Sequence, residues 1–121
     1  MWAIFVHVAW ALALERVPRL QRLDLSNNQL RALPDSVYAL QTLETLNVQL
    51  NRLTMLSTDV EKLTQLETLD ARHNELKILP VKQLVTLQRL KRLHVAGVPD
   101  LIQNLEMLEM SEQLKAKVVL E

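Results

Sequence analysis

The stretch Leu20–Leu30, LQRLDLSNNQL, holds leucine at four of its eleven positions, with Asn28 among them. Leu23 and Leu25 flank Asp24, an alternation at period two that buries one side of a strand and leaves the other in water. A strand this short cannot cover its own leucines, so its surroundings must be built from similar segments.

The chain supplies them. LQRLDLSNNQLRALPDSVYALQT, starting at Leu20, is followed 23 residues on by LETLNVQLNRLTMLSTDVEKLTQ and, after 23 more, by LETLDARHNELKILPVKQLVTLQR. Leu20, Leu23, Leu25, Asn28 and Leu30 map onto Leu43, Leu46, Val48, Asn51 and Leu53, and then onto Leu66, Leu69, Ala71, Asn74 and Leu76. The second halves agree as well: Leu33, Pro34, Val37 and Leu40 match Leu56, Ser57, Val60 and Leu63, then Leu79, Pro80, Leu84 and Leu87. The third unit carries one extra residue between Leu79 and Leu84, so the fourth starts at Leu90, 24 residues after Leu66. That unit keeps Leu90, Leu93 and Val95 but has Val98 where asparagine is expected.

With its L-x-x-L-x-L-x-x-N-x-L grammar, the chain resembles the leucine-rich repeat family over residues 20 to about 98. The Leu-Pro pair and the 23-residue period look like the intracellular Ras-group type of repeat. The resemblance implies an α/β fold: a right-handed β-α superhelix forming a short horseshoe solenoid, with a parallel concave sheet of about four strands. Stacked units bury a shared core. Strands stand ~4.8 Å apart while the arcs with Leu-Pro and a helical turn are bulkier, so the stack curves with the sheet inside.

Two consequences follow for named residues. Asn28, Asn51 and Asn74 sit where the chain leaves each strand; an amide side chain both donates and accepts, so they are expected to form a structural ladder that satisfies backbone groups of the turn. The non-leucine strand positions should project from the concave face in columns: Arg22, Thr45, Thr68, Arg92; Asp24, Asn47, Asp70, His94; Ser26, Gln49, Arg72, Ala96; and Asn27, Leu50, His73, Gly97. In the family this face is the usual protein-binding surface, so the resemblance makes Arg22, Asp24, Ser26, Thr45, Asn47, Gln49, Leu50, Thr68, Asp70, Arg72, His73, Arg92 and His94 the candidate binding residues. Leu50 stands out as a large apolar residue at a position that is polar in the adjacent units. Tyr38 and Met55 are expected on the convex side or its edges as filler. Asp70 and His94, at one strand level in successive units, are expected to form an ion pair on a partly exposed sheet.

Composition narrows the function classes. The chain has 121 residues, 49% hydrophobic content, twenty-seven leucines, 14 basic and 14 acidic residues, and no cysteine. That suits one compact domain with its own core, an intracellular (cytoplasmic) location, and neither a disulfide framework nor a thiolate metal site. Charge balance gives no global field to hold a phosphate backbone, so no nucleic-acid partner is expected. The lone Gly97 excludes glycine-rich phosphate cradles, and His7, His73 and His94 lack a ligand spacing. Asp70, His73 and His94 share the face without a nucleophile or oxyanion donors, and His73 lies roughly 10 Å along the strand direction from the level of His94. No enzymatic activity, cofactor or metal is expected.

The ends differ from the middle. MWAIFVHVAWALAL is apolar for fourteen residues, too few for the ~20 of a membrane span, and no basic segment precedes it as in a signal peptide. Residues 1–17 are therefore read as an N-terminal capping helix, although Trp10, Leu14, Val17 and Leu20 also fall at the spacing of a half-repeat. In residues 99–121, Asp100 can cap a helix with Leu101, Leu105 and Leu108 on one face, giving a C-terminal capping helix. Residues 18–98 hold the repeats. The resulting expectation is a monomeric, non-catalytic module that binds a protein partner on its concave face and does not engage a membrane. Two alternatives stand beside it: a membrane-anchored or secreted repeat protein whose N-terminus is a signal or anchor, and a fragment of a larger repeat scaffold.

Overall fold

The computed structural model describes residues 13–95 and 117–119. Strands β1 (Arg22–Asp24), β2 (Thr45–Asn47), β3 (Thr68–Asp70), β4 (Arg92–His94) and β5 (Val118–Val119) form one sheet in chain order, with every pairing parallel. Register follows the repeat: Leu23, Leu46, Leu69 and Leu93 stand side by side, and the extra residue of the third unit is absorbed before β4.

Each unit returns through an arc opposite the sheet: an α-helical turn at Asp35–Tyr38, a 3-10 helix at Thr58–Lys62 and an α-helical turn at Val81–Leu84. Proline at the N-cap before the first and third suits a helix start, where its missing N–H goes unmissed. The second unit has Ser57 there, and its side chain accepts a hydrogen bond from the Asp59 N–H at 3.0 Å. The backbone N–H of Ser57, which a proline would lack, donates to the Tyr38 hydroxyl at 3.1 Å. Tyr38 is thus part of the core and not convex filler. Burial raises its pKa, with the charges of Asp59 and Asp35 adding to the effect against the Ser57 hydrogen bond. Met55 is exposed, as expected.

Between sheet and arcs the repeat leucines form a continuous core, with Leu25, Leu30, Leu43, Leu53, Leu66, Leu69 and Leu76 fully buried. Leu20 and Leu23, in the first unit, are only partly buried.

Most of the expected N-terminal helix lies outside the described residues. Its last part is a 3-10 turn, Leu14–Arg16, whose hydrogen bonds match the arcs. Val17 N–H donates to Leu14 O at 3.1 Å, as Leu40 does to Val37, Leu63 to Val60 and Leu87 to Leu84. Leu20 N–H donates to Val17 O, as Leu43 does to Leu40. Residues 14–20 therefore have the hydrogen-bond geometry of the second half of a repeat. The expected C-terminal helix also lies mostly outside the described residues, but its reading over 117–119 is corrected: Val118 and Val119 pair with Leu93 and His94, and Leu93 N–H donates to Lys117 O at 2.8 Å. Two adjacent β-branched residues favour a strand, and they fall 25 residues beyond their β4 partners. Among the described residues, no helix is long and apolar enough to cross a membrane.

A candidate protein-binding face

The ladder of Asn28, Asn51 and Asn74 holds the sheet face in shape. Asn51 is 7% exposed and Asn74 4%. The Asn51 Nδ2 donates to Leu25 O and Val48 O at 2.9 Å, reaching back into the preceding unit and into its own. Its Oδ1 accepts from Leu30 N–H at 2.9 Å and Asn28 N–H at 3.1 Å. Asn74 repeats the pattern, donating to Val48 O and Ala71 O and accepting from Leu53 N–H at 3.0 Å. Asn28 donates to Leu25 O and Ser26 O, both at 3.0 Å. Each buried asparagine closes its own turn and fastens it to the one before.

The candidate columns emerge at the predicted register: Arg22, Thr45, Thr68 and Arg92 pair in sequence, as do Asp24, Asn47, Asp70 and His94. Arg22, Asp24, Leu50, His73 and Arg92 are exposed, while Ser26, Thr45, Asn47, Gln49, Thr68, Arg72 and His94 are half-buried. Asp70 is the exception, at 9% exposed.

The second column carries a role the sequence reading missed. Asp24 Oδ1 accepts the Ser26 N–H at 2.9 Å, Asn47 Oδ1 the Gln49 N–H at 3.1 Å, and Asp70 Oδ1 the Arg72 N–H at 3.2 Å. A short side-chain acceptor thus holds the N–H two residues on at each strand end, a local bond at which Asp and Asn excel. The recurrence of Asp, Asn, Asp at period 23 was the available signal.

The expected Asp70–His94 pair is corrected. The two are cross-strand neighbours, but the Asp70 carboxylate is taken by Arg72, whose Nε reaches Oδ1 at 2.9 Å and whose Nη2 reaches Oδ2 at 2.6 Å. A planar guanidinium meets a carboxylate in two parallel bonds, which a single imidazole N–H cannot match. Burial acts to raise the Asp70 pKa; the hydrogen bonds and charge of Arg72 outweigh it, with a small contribution from His94, and hold the carboxyl below its ordinary value. The His94 Nδ1 is buried with no hydrogen-bond partner among the described residues. Since Arg72 compensates a buried charge, its reversal would unfold the face, not merely repaint it.

Leu50 combines two anomalies. It is 49% exposed, and its φ of 57° lies in the left-handed region. Asn27 and His73, at the same position in the adjacent units, have φ of 59° and 56°. The turn before the ladder asparagine imposes this conformation, which suits Asn or Gly and costs other residues roughly 1–2 kcal/mol. Neither the backbone nor a fully buried site explains a leucine there.

Comparison with known proteins agrees with this geometry. The model of the Leucine Rich Repeat family matches residues 19–40. Among solved structures, a leucine-rich-repeat protein of Leptospira interrogans superposes with a TM-score of 0.62 at 27% identity, over 78% of this chain and 24% of that one. The chain thus spans about a quarter of the length of that structure. No curated protein gives a significant match.

Proposed function

We propose that this chain, whose fold is that of a leucine-rich-repeat solenoid, is a non-catalytic interaction module of the intracellular, Ras-group kind that binds a protein partner on the concave face of its sheet. Leu50 carries this reading. It holds a large apolar side chain half in solvent in a backbone conformation that disfavours it, and an observed outlier of this kind points toward a functional site. Around it lie groups able to form a polar rim: Gln49 on its own unit, and Asn27 and His73 at the same repeat position on either side. A buried apolar anchor ringed by polar contacts is the usual anatomy of a binding hot spot.

The experiment is affinity capture by the wild-type chain and by Leu50→Asp combined with Thr68→Glu, two changes that leave the ladder and the Asp70–Arg72 pair intact. A partner held by the wild type should be lost from the variant while both give the same far-UV circular dichroism. A partner retained at full affinity would rule out the concave face.

A further inference from the structure

Thr58 opens the second arc, and its hydroxyl stands apart from others on and beside the arcs. Thr42 Oγ1 donates to Leu20 O at 2.9 Å and Thr86 Oγ1 to Gln83 O at 2.7 Å, Ser57 Oγ accepts the Asp59 N–H, and Ser36 Oγ is buried. Thr58 is exposed, and its hydroxyl has no hydrogen bond among the described residues. Asp35, Thr58 and Val81 share one repeat position, and the exposed Asp35 shows that this position accepts negative charge. The second arc is a 3-10 helix where the first and third are α-helical. Three residues per turn bring Glu61 onto the same side as Thr58, both exposed, while Val60 turns into the core. Hydrogen bonds of a 3-10 helix have poorer geometry than those of an α-helix, and Met55, Leu56 and Ser57 before it have no regular secondary structure. This arc therefore opens into an extended segment at lower cost than its neighbours.

The acids select the reagent. Thr58 is followed by Asp59 in the next position and by Glu61 two beyond that. Asp59 is held at 3.6 Å by Lys62, an exposed pair that is easily exchanged, and Glu61 has no ion-pair partner among the described residues. Thr54 and Thr64 are exposed as well but lack this setting: Thr54 is followed by Met55, Leu56 and Ser57, and Glu67, three residues after Thr64, is tied to Lys91 at 3.3 Å. We propose that Thr58 is a phosphorylation site for a protein kinase whose basic substrate groove reads carboxylates on the C-terminal side of the acceptor. Thr58 Oγ1 attacks the γ-phosphorus of ATP, the bond from that phosphorus to the bridging oxygen breaks, ADP leaves, and the hydroxyl proton passes to the kinase's base. The charged surroundings of Thr58 are mixed: Asp59, Glu61 and Lys62 on its own arc, Asp35 at the equivalent position of the first, and Lys82 across the cleft that Thr58 also lines. A phosphate, at roughly −1.5 to −2 in charge, makes this arc strongly acidic while leaving the concave face as it is.

The test incubates the whole chain with radiolabelled ATP and a purified acid-directed kinase of the casein kinase 2 type, in parallel with a base-directed kinase of the protein kinase A type, and reads the labelled position by peptide mass spectrometry. Label from the acid-directed kinase should enter at Thr58, persist in Thr58→Ser and vanish from that position in Thr58→Val. Its rate should fall about tenfold in Glu61→Gln, the loss of one charge contact in the reacting complex, with far-UV circular dichroism unchanged in every variant. A synthetic peptide of residues 52–66 that is labelled while the folded chain is not would show the arc to be closed to a kinase and overturn the proposal. Label confined to other positions, label from the base-directed kinase alone, no label in either chain or peptide, or an undiminished rate in Glu61→Gln would overturn it too.

Discussion

Replacing Asn51 by alanine removes a side chain that holds two units together, and the structure shows which atoms are left without partners. The acceptors are largely insured: Leu25 O keeps the Asn28 Nδ2 at 3.0 Å, and Val48 O keeps the Asn74 Nδ2 at 2.9 Å. One donor is not. Leu30 N–H, on a fully buried residue, loses Asn51 Oδ1, and the bond from Asn28 N–H to the same oxygen is broken as well. At ~1–3 kcal/mol for the stranded Leu30 N–H and ~0.5–1.5 kcal/mol for the lost Asn28 bond, the cost comes to about 2–4 kcal/mol. With a urea slope near ~1.5 kcal/mol/M the unfolding midpoint should fall by about 2 M. Gln49→Ser is the control, because the hydrogen bonds at Gln49 run through its backbone and survive the change. Asn74→Ala should cost somewhat less than Asn51→Ala, since one buried donor, Leu53 N–H, loses its acceptor. The double replacement should cost more than the sum, because Val48 O then loses both amides. Coincident midpoints for Asn51→Ala and Gln49→Ser would refute the ladder and the register built on it.

Further expectations concern the arcs and the face. Tyr38→Phe strands the Ser57 N–H and should cost ~1–2 kcal/mol, but almost nothing in a Ser57→Pro background, where that N–H is gone; Ser57, at φ −68° and ψ 150°, already has a backbone that accepts proline. Equal costs in the two backgrounds of this double-mutant cycle would remove the bond from the account. Asp70 has a folded pKa below its unfolded value near ~3.9, so its stabilisation is present above the unfolded pKa and lost as pH falls through the folded one. The stability gap between wild type and Asp70→Asn, followed by denaturation from neutral to acid pH, should therefore close in acid; a gap constant down to the lowest pH would contradict the assignment. Arg72→Glu should destabilise the domain markedly where Thr68→Glu does not, and equal melting temperatures for the two would show that Asp70 does not depend on Arg72.

Much of this was legible because the repeat grammar fixes which residues share a level. Leucines at Leu23, Leu46, Leu69 and Leu93 announced the strands, and the single extra residue before Leu84 gave the register of β4. The asparagine ladder followed from chemistry, since only a side chain that donates and accepts serves both sides of that turn. What stayed hidden depends on direction rather than level. Asp70 has two charged residues in reach, and spacing alone does not say that the turn after β3 swings Arg72 back over the carboxylate. Tyr38 looked like convex filler until the missing proline at Ser57 showed which N–H its hydroxyl serves. β5 escaped because residues 99–121 lose the leucine grammar, and two valines are a faint signal without it.

The most direct test of the central claim, that the concave sheet is where a protein partner binds, is site-specific photo-crosslinking in cells. A photoreactive residue at Thr68, on the sheet, is compared with one at Gln41, exposed on the first arc. The account predicts a discrete adduct with another protein from Thr68, lost when Leu50→Asp is added, and none from Gln41. Adducts from Gln41 alone, or none from Thr68, would contradict it.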